Sequence, residues 1–156
     1  MKANIGIIGQ GFVGNAIYQK FRNYFDVKTF DLDESKRTTD TLEEVVEASD
    51  VVFVCVPTPM KRVDGSCDIS IVETVLSQIN NVGKDVIVVI KSTIPPTTTE
   101  MFNNTFKSIT IVFNPEFLTE ANAVQDFENQ SKIILGGPRK GTTLLKQIYR
   151  LVFPST

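Results

Sequence analysis

The sequence predicts an α/β fold: a doubly wound, mostly parallel sheet of about six strands with helices on both faces. Three observations predict it. Short apolar runs alternate along the chain with segments whose apolar residues recur at helical spacing. A glycine-rich turn, Gly9-Gln10-Gly11-Phe12-Val13-Gly14, joins the first run to the first helical segment. An acidic residue, Asp31, closes the second run about twenty positions beyond Gly11.

Asn4 to Ile8 reads as the first strand. Past the glycine turn, Phe12, Val13, Ile17, Phe21 and Phe25 recur at roughly helical spacing, with Gln19, Lys20 and Arg22 between them. Val27 to Phe30 is the second strand. Thr41 to Ala48 has the pattern of a short amphipathic helix, with Thr41 as its cap and Glu44 completing a capping box. Val51 to Val56 is continuously apolar, as in a strand buried on both faces, and Pro57 ends it. The loop from Thr58 to Cys67 holds Pro59 and the turn pair Asp64-Gly65. Asp68 is then placed to cap a helix bearing Ile71, Val72, Val75, Leu76 and Ile79. Val86 to Ile90 and Ile109 to Phe113 are the fourth and fifth strands, with a helix across Thr98 to Phe106 between them. Lys132 to Leu135 reads as a sixth strand ended by Gly136-Gly137, and Thr142 to Val152 as a closing helix. No repeat or linker divides residues 1–156, so one domain is expected.

Composition narrows the function classes. Sixteen Lys and Arg against eighteen Asp and Glu give a net charge of −2, without the basic excess of a nucleic-acid binder. No apolar run reaches the roughly 18 residues of a membrane span, and no signal peptide is expected before the fold begins. Two cysteines are too few for a disulfide framework, which points to a reducing, cytoplasmic setting. The chain contains no histidine, so neither an imidazole base nor an imidazole metal ligand is available, and no metal site is expected.

The glycine turn follows a strand, opens a helix and is answered by an acidic strand end, the context that a Rossmann-type dinucleotide site requires. Gly9 permits the tight turn, Gly11 the close approach of a pyrophosphate, and Gly14 close helix–strand packing. The helix start at Phe12-Val13 offers N–H groups to phosphate charge. Asp31 is placed to accept hydrogen bonds from ribose hydroxyls and to repel a 2′-phosphate, which favours NAD over NADP. Lys36 and Arg37 act against that preference, since a cation there tolerates phosphate. The competing reading is an ordinary tight turn with Asp31 a solvated strand end.

Ligands in this architecture bind beyond the carboxyl ends of the strands. Three stiff, proline-bearing segments begin there: Val56-Pro57-Thr58-Pro59, Lys91-Ser92-Thr93-Ile94-Pro95-Pro96 and Asn114-Pro115-Glu116-Phe117-Leu118-Thr119-Glu120. Thr58 and Thr93 can hydrogen-bond a cofactor or water, or cap local structure. Lys91 can neutralise phosphate, pair with a carboxylate, or stand in solvent. Glu116 and Glu120 share one side if Phe117 to Thr119 form a helical turn, where they would orient water or accept a proton. Cys55, inside an apolar strand, reads as packing; Cys67, in a loop, as exposed and without an activating neighbour in sequence.

These segments resemble the N-terminal part of the UDP-glucose/GDP-mannose dehydrogenase family. The resemblance is carried by Ile7-Ile8-Gly9-Gln10-Gly11-Phe12-Val13-Gly14, Val54-Cys55-Val56-Pro57-Thr58-Pro59, Asp64-Gly65-Ser66 with Asp68-Ile69-Ser70, and Lys91-Ser92-Thr93-Ile94-Pro95. It continues through Asn114-Pro115-Glu116-Phe117-Leu118, Glu120-Ala121, Ala123-Val124, Asp126-Phe127 and Ile133-Ile134-Leu135-Gly136-Gly137. It implies oxidation of the C6 hydroxyl of a nucleotide sugar such as UDP-glucose to a carboxylate, by two NAD in succession through a cysteine thioester. It also implies roles: Asp31 and Lys36 at the adenosine ribose, Thr58 along the cofactor, and Thr93 positioning water near the nicotinamide. Glu116 would support that water, Glu120 would link cofactor to acid–base steps, and the Phe117-Leu118 backbone would lie against the sugar nucleotide. Position 119 carries threonine where many bacterial members carry arginine.

The family's catalytic cysteine, lysine, asparagine and aspartate lie on a central helix and a C-terminal nucleotide-sugar-binding domain, and no segment here matches them. The resemblance therefore implies an NAD-binding portion, inactive alone, of a nucleotide-sugar dehydrogenase. Its alternatives are one subunit of a split enzyme completed by a second chain, and a non-catalytic NAD-responsive interaction module. Self-association through Leu144, Leu145, Ile148 and Leu151 of the last helix is a further expectation.

Overall fold

A computed structural model describes residues 1–156. The elements run β1 (Asn4–Ile8), α1 (Phe12–Phe21), β2 (Asp26–Phe30), α2 (Leu42–Ala48), β3 (Val51–Val54), α3 (Ser70–Asn81), β4 (Ile87–Ile90), α4 (Thr98–Thr105), β5 (Thr110–Phe113), α5 (Ala123–Glu128) and α6 (Arg139–Val152). Short 3₁₀ turns at Glu34–Lys36 and Glu120–Asn122 complete them. All strands are parallel, in the order β2-β1-β3-β4-β5. The order reverses between β1 and β3, which makes that crevice the topological switch point.

The continuous apolar strands divide their side chains by alternation. Ile5, Ile7, Phe53, Val89 and Val112 pack beneath α1, α5 and α6, with Phe21 edge-on to Phe53 at 5.4 Å. Ile8, Val52, Val54, Val88, Ile90 and Ile111 pack on the other face beneath α2, α3 and α4. Both faces are covered, which is why these strands read as runs and not as alternating patterns. Thr41 caps α2, its Oγ1 accepting the Glu44 N–H at 3.2 Å. Asp68 acts one position earlier than expected: it accepts the Ser70 N–H at 2.9 Å, while Ile69 holds the cap position of α3.

The sheet has five strands where about six are expected. Lys132 to Leu135 forms no strand; only Gly136 meets β5, through an isolated antiparallel bridge to Phe113. The outer edge of β5 is already occupied. Asn103 of α4 donates its amide N–H to the Ile111 carbonyl at 2.9 Å, and its Oδ1 accepts the Ile111 N–H at 2.9 Å. A side-chain amide thus does the work of a neighbouring strand and shields the edge. The last helix also departs from expectation, because Leu145 and Ile148 are core residues and only Leu151 is well exposed. The apolar face proposed for self-association is therefore turned inward. No helix is long and apolar enough to cross a membrane.

Candidate dinucleotide and substrate site

The glycine turn sits at the switch point, and two of its three glycines are demanded by their neighbours. Gly9 has φ +94, and a Cβ there would stand 2.6 Å from the Cys55 carbonyl oxygen. A Cβ on Gly14 would stand 1.9 Å from the Gly9 carbonyl oxygen, so α1 packs directly onto the turn. A Cβ on Gly11 would meet nothing within 4 Å. Gly9 and Gly14 are therefore required by the fold, whereas the space before Gly11 stays open.

That space has the chemistry of an anion cradle. Gly11 holds the cap position of α1 without a side-chain cap, and the first helical bond runs from the Asn15 N–H to the Gly11 carbonyl at 3.0 Å. The N–H groups of Phe12, Val13 and Gly14 precede it and have no acceptor within the helix, the arrangement that suits an anion. Val13 packs its side chain against the core, so its backbone is what it offers a ligand. From the cradle a groove of about 710 Å³ extends between Gln10, Gly11, Phe12, Asn15, Lys36 and Glu120. Asp31 stands beside it. Its Oδ2 accepts the Gln10 N–H at 2.7 Å and its Oδ1 the Asp33 N–H at 2.9 Å. The carboxylate is fixed between the turn and β2, and each of its oxygens keeps a lone pair free to accept a further hydrogen bond.

The two cations near Asp31 part company. Arg37 lies 5.0 Å from the Phe30 ring centroid, and its guanidinium donates to the carbonyls of Asp31 at 3.0 Å and Asp40 at 3.1 Å. Both cations line the groove, but the Arg37 guanidinium is committed to backbone carbonyls of the β2 loop, whereas the Lys36 ammonium makes no such bond. These residues fit a dinucleotide with free ribose hydroxyls.

The three proline-bearing segments start side by side because the ladder runs one residue past the strands. Cys55 N–H donates to the Ile8 carbonyl at 2.8 Å, Lys91 N–H to Val54 at 2.9 Å, and Asn114 N–H to Ile90 at 3.0 Å. Ser92 Oγ donates to the Val56 carbonyl at 2.6 Å. The half-buried Cys67 thiol reaches the Thr93 carbonyl at 3.4 Å and the Thr58 carbonyl at 3.9 Å. Its one S–H can donate to only one of them at a time, so Cys67 sits between the two loops and does not stand free in solvent. Neither Thr58 nor Thr93 caps a helix; Thr97, at φ 68, holds the cap position of α4.

Glu116 and Glu120 do not share a helical turn. Residues 114–119 are irregular, because Pro115 disfavours helical backbone at Asn114. Glu116 turns back to accept the Leu118 N–H at 2.6 Å. Glu120 opens the 3₁₀ turn and lines the groove with Phe12 and Asn15. Phe117 is exposed and Leu118 packs on the core. Thr119 gives both its N–H and its hydroxyl to Asp126, at 2.8 and 2.6 Å. Those bonds hold the Asp126 carboxyl below the usual range.

Lys91 is the residue that sequence reasoning ranked too low. It is buried, not solvated, and donates to Asn114 Oδ1 at 3.1 Å. Burial draws its ammonium down to about 8, an effect opposed by Cys55 and Glu116. The sequence marks Asn114 only as the start of a strand-end segment and gives Tyr149 no role, yet the Tyr149 hydroxyl also donates to Asn114 Oδ1. The available signal was a lysine continuing the apolar run Val86 to Ile90 without a break. Cys55 behaves as packing, since burial pushes its thiol up to about 12.

Parallel strands, the open cradle at Gly11 and the fixed carboxylate at Asp31 define a dinucleotide-binding domain. A model of the UDP-glucose/GDP-mannose dehydrogenase family, NAD binding domain, matches residues 28–153, and the chain belongs to that family. Its dinucleotide is NAD. The chain is 35% identical over 125 residues to UDP-glucose 6-dehydrogenase of Rhizobium meliloti (strain 1021), a match covering 74% of this chain and 29% of that protein. It is 30% identical over 178 residues to UDP-glucose 6-dehydrogenase of Campylobacter jejuni, covering 92% of this chain and 45% of that protein. The solved UDP-glucose dehydrogenase of Pyrobaculum islandicum superposes with a TM-score of 0.85 at 25% identity, over 97% of this chain and 45% of the other. The chain thus spans less than half the length of each of these relatives.

Proposed function

We propose that the chain is the NAD-binding portion of a nucleotide-sugar dehydrogenase, of UDP-glucose 6-dehydrogenase type, and that alone it binds NAD without oxidising the sugar. The open cradle at Gly11 beside Asp31 carries this reading. In it, the cradle from Gly9 to Gly14 takes the pyrophosphate, and Asp31 and Lys36 take the adenosine ribose. Thr58 lies along the cofactor, and Glu120 closes the groove beside Phe12. Thr93 and Glu116 hold water at the reacting end, and the Phe117-Leu118 backbone faces the sugar nucleotide. When bound, NAD supplies the hydride acceptor; these residues bind, orient and exclude.

Oxidation to a carboxylate through a thioester needs a thiolate nucleophile. Cys55 is packed against the core with its thiol raised, and the Cys67 thiol lies against the Thr93 carbonyl at 3.4 Å. The missing nucleophile is best supplied by a further segment or a complementary chain, a reading supported by the exposed Phe117 at the strand-end face. Calorimetry with NAD, NADP and UDP-glucose, paired with an NADH absorbance assay, tests the proposal. NAD binding with no NADH formed from UDP-glucose is expected. Turnover by the purified chain, or an absence of NAD binding, refutes it.

A further inference from the structure

The segments after β4 and β5 carry Thr93 and Glu116, and one buried side chain joins them. Lys91 Nζ donates to Asn114 Oδ1 at 3.1 Å, and the Tyr149 hydroxyl of α6 donates to the same oxygen. Asn114 Nδ2 donates to the Ile134 carbonyl at 2.9 Å. Asn114 is therefore held from three directions, and it is the first residue of the loop that carries Glu116, Phe117 and Leu118.

Stability does not explain Lys91. Its ammonium has three donor hydrogens, yet the protein gives Nζ a single acceptor and no carboxylate within ion-pair distance. A buried cation with so little compensation costs folding free energy, and an apolar side chain of similar length would avoid the cost. Tyr149 alone would still satisfy one lone pair of Asn114.

We propose that Lys91 is a positioning residue: its hydrogen bond to Asn114 sets the Glu116-bearing loop against the Thr93-bearing loop. The proposal rests on the reading that these two loops receive the reacting end of the cofactor and the sugar nucleotide. The groups facing the ammonium are Cys55 at the end of β3, Glu116 in the loop and Tyr149 on α6. Burial lifts the Cys55 thiol to about 12 and the Tyr149 phenol far above its usual range, so neither gives up its proton as Lys91 titrates near 8. A charged donor makes a markedly stronger hydrogen bond than a neutral one. The loop's posture therefore follows the proton on Lys91.

The Leu118 amide, bonded to the Glu116 carboxylate at 2.6 Å, is a ligand-free reporter of that posture. Amide NMR of the full chain, titrated through the pH range around 8, is expected to move the Leu118 amide and the Asn114 side-chain amide together in one step. Lys91→Met is expected to abolish the step and to speed hydrogen exchange at Leu118 by about tenfold. The Gly9 amide serves as the check that the sheet is intact. The absence of a step in the unmodified chain overturns the proposal without any variant. A step that persists in Lys91→Met overturns it as well. Since no ligand enters the measurement, its failure is separable from failure of the substrate assignment, which the calorimetry addresses.

Discussion

Gly11→Ala separates binding from folding. At φ −69 and ψ −161 the backbone suits alanine, and the new Cβ meets no protein atom within 4 Å. Two small terms oppose each other. Alanine restricts the unfolded chain, worth about 0.4–1 kcal/mol in favour of folding. It is also a poorer helix cap than glycine, by roughly 1 kcal/mol or less. Stability should therefore stay within about 1 kcal/mol of the parent, by urea unfolding followed by circular dichroism.

Binding should respond differently, because the methyl group occupies the space through which a diphosphate reaches the N–H groups of the first turn. Each hydrogen bond lost to a charged acceptor costs about 1.5–3 kcal/mol, and about 1.4 kcal/mol is tenfold in affinity. A loss of NAD affinity between tenfold and a hundredfold is expected by calorimetry. Gly14→Ala makes the contrast: its Cβ would stand 1.9 Å from a backbone oxygen, so it should destabilise the fold by several kcal/mol before binding is tested. NAD affinity within twofold of the parent in a well-folded Gly11→Ala chain would show that the cradle is not the pyrophosphate site.

The other perturbations probe charge and edge. Lys91 falls from 10.5 in the unfolded chain to about 8 in the fold, so the unfolded chain binds the extra proton between those values. Its contribution to stability is present above 10.5 and lost as pH falls through 8, roughly 3 kcal/mol in total. Lys91→Met should remove that component of the pH dependence and raise stability at neutral pH, as read by denaturant melts across the window; a net loss there would contradict the account. Asp31→Asn should weaken NAD about tenfold and narrow its advantage over NADP, and calorimetry showing an unchanged preference would count against Asp31 at the ribose. Asn103→Leu should cost about 1–3 kcal/mol by stranding the Ile111 N–H and carbonyl, and should promote aggregation along β5, seen by light scattering.

The layout was legible because a buried parallel sheet writes itself as runs. β1 is Asn4–Ile8 as expected, and Gly9 and Asp31 mark the strand ends that form the site. What failed depended on side chains distant in sequence. Lys132 to Leu135 has the composition of a strand, but nothing local reveals that Asn103 already occupies the partner edge. Glu116 and Glu120 have helical spacing, and Pro115 together with the Glu116 bond to Leu118 overrides it. α5 spans six residues, too few to display a period, and is held by Phe127 packing edge-on to Phe153 at 5.3 Å. The charge of Lys91 suggests a solvent or ligand contact, whereas its place one residue past β4 sends it inward to Asn114.

The two ends of the site differ in how much of their order this chain supplies, and that difference has a measurable consequence. At the end proposed for the adenosine, Asp31 is locked by Gln10 and Asp33, and Arg37 braces the loop through three backbone carbonyls. Little ordering is left for a ligand to impose there. At the strand-end face Phe117, Met60 and Val63 are exposed, so in the proposed binding mode the ligand's far half meets one wall of a site and water opposite. A nicotinamide held on one side gains little burial yet still loses its own conformational freedom. Most of the NAD affinity of this chain should then reside in the adenosine diphosphate moiety. Competition calorimetry should find ADP binding within about tenfold of NAD, a difference near 1.4 kcal/mol. An NAD advantage of a hundredfold or more would mean that the nicotinamide pocket is already complete within this chain, and the proposal that further protein is needed to build it would fall.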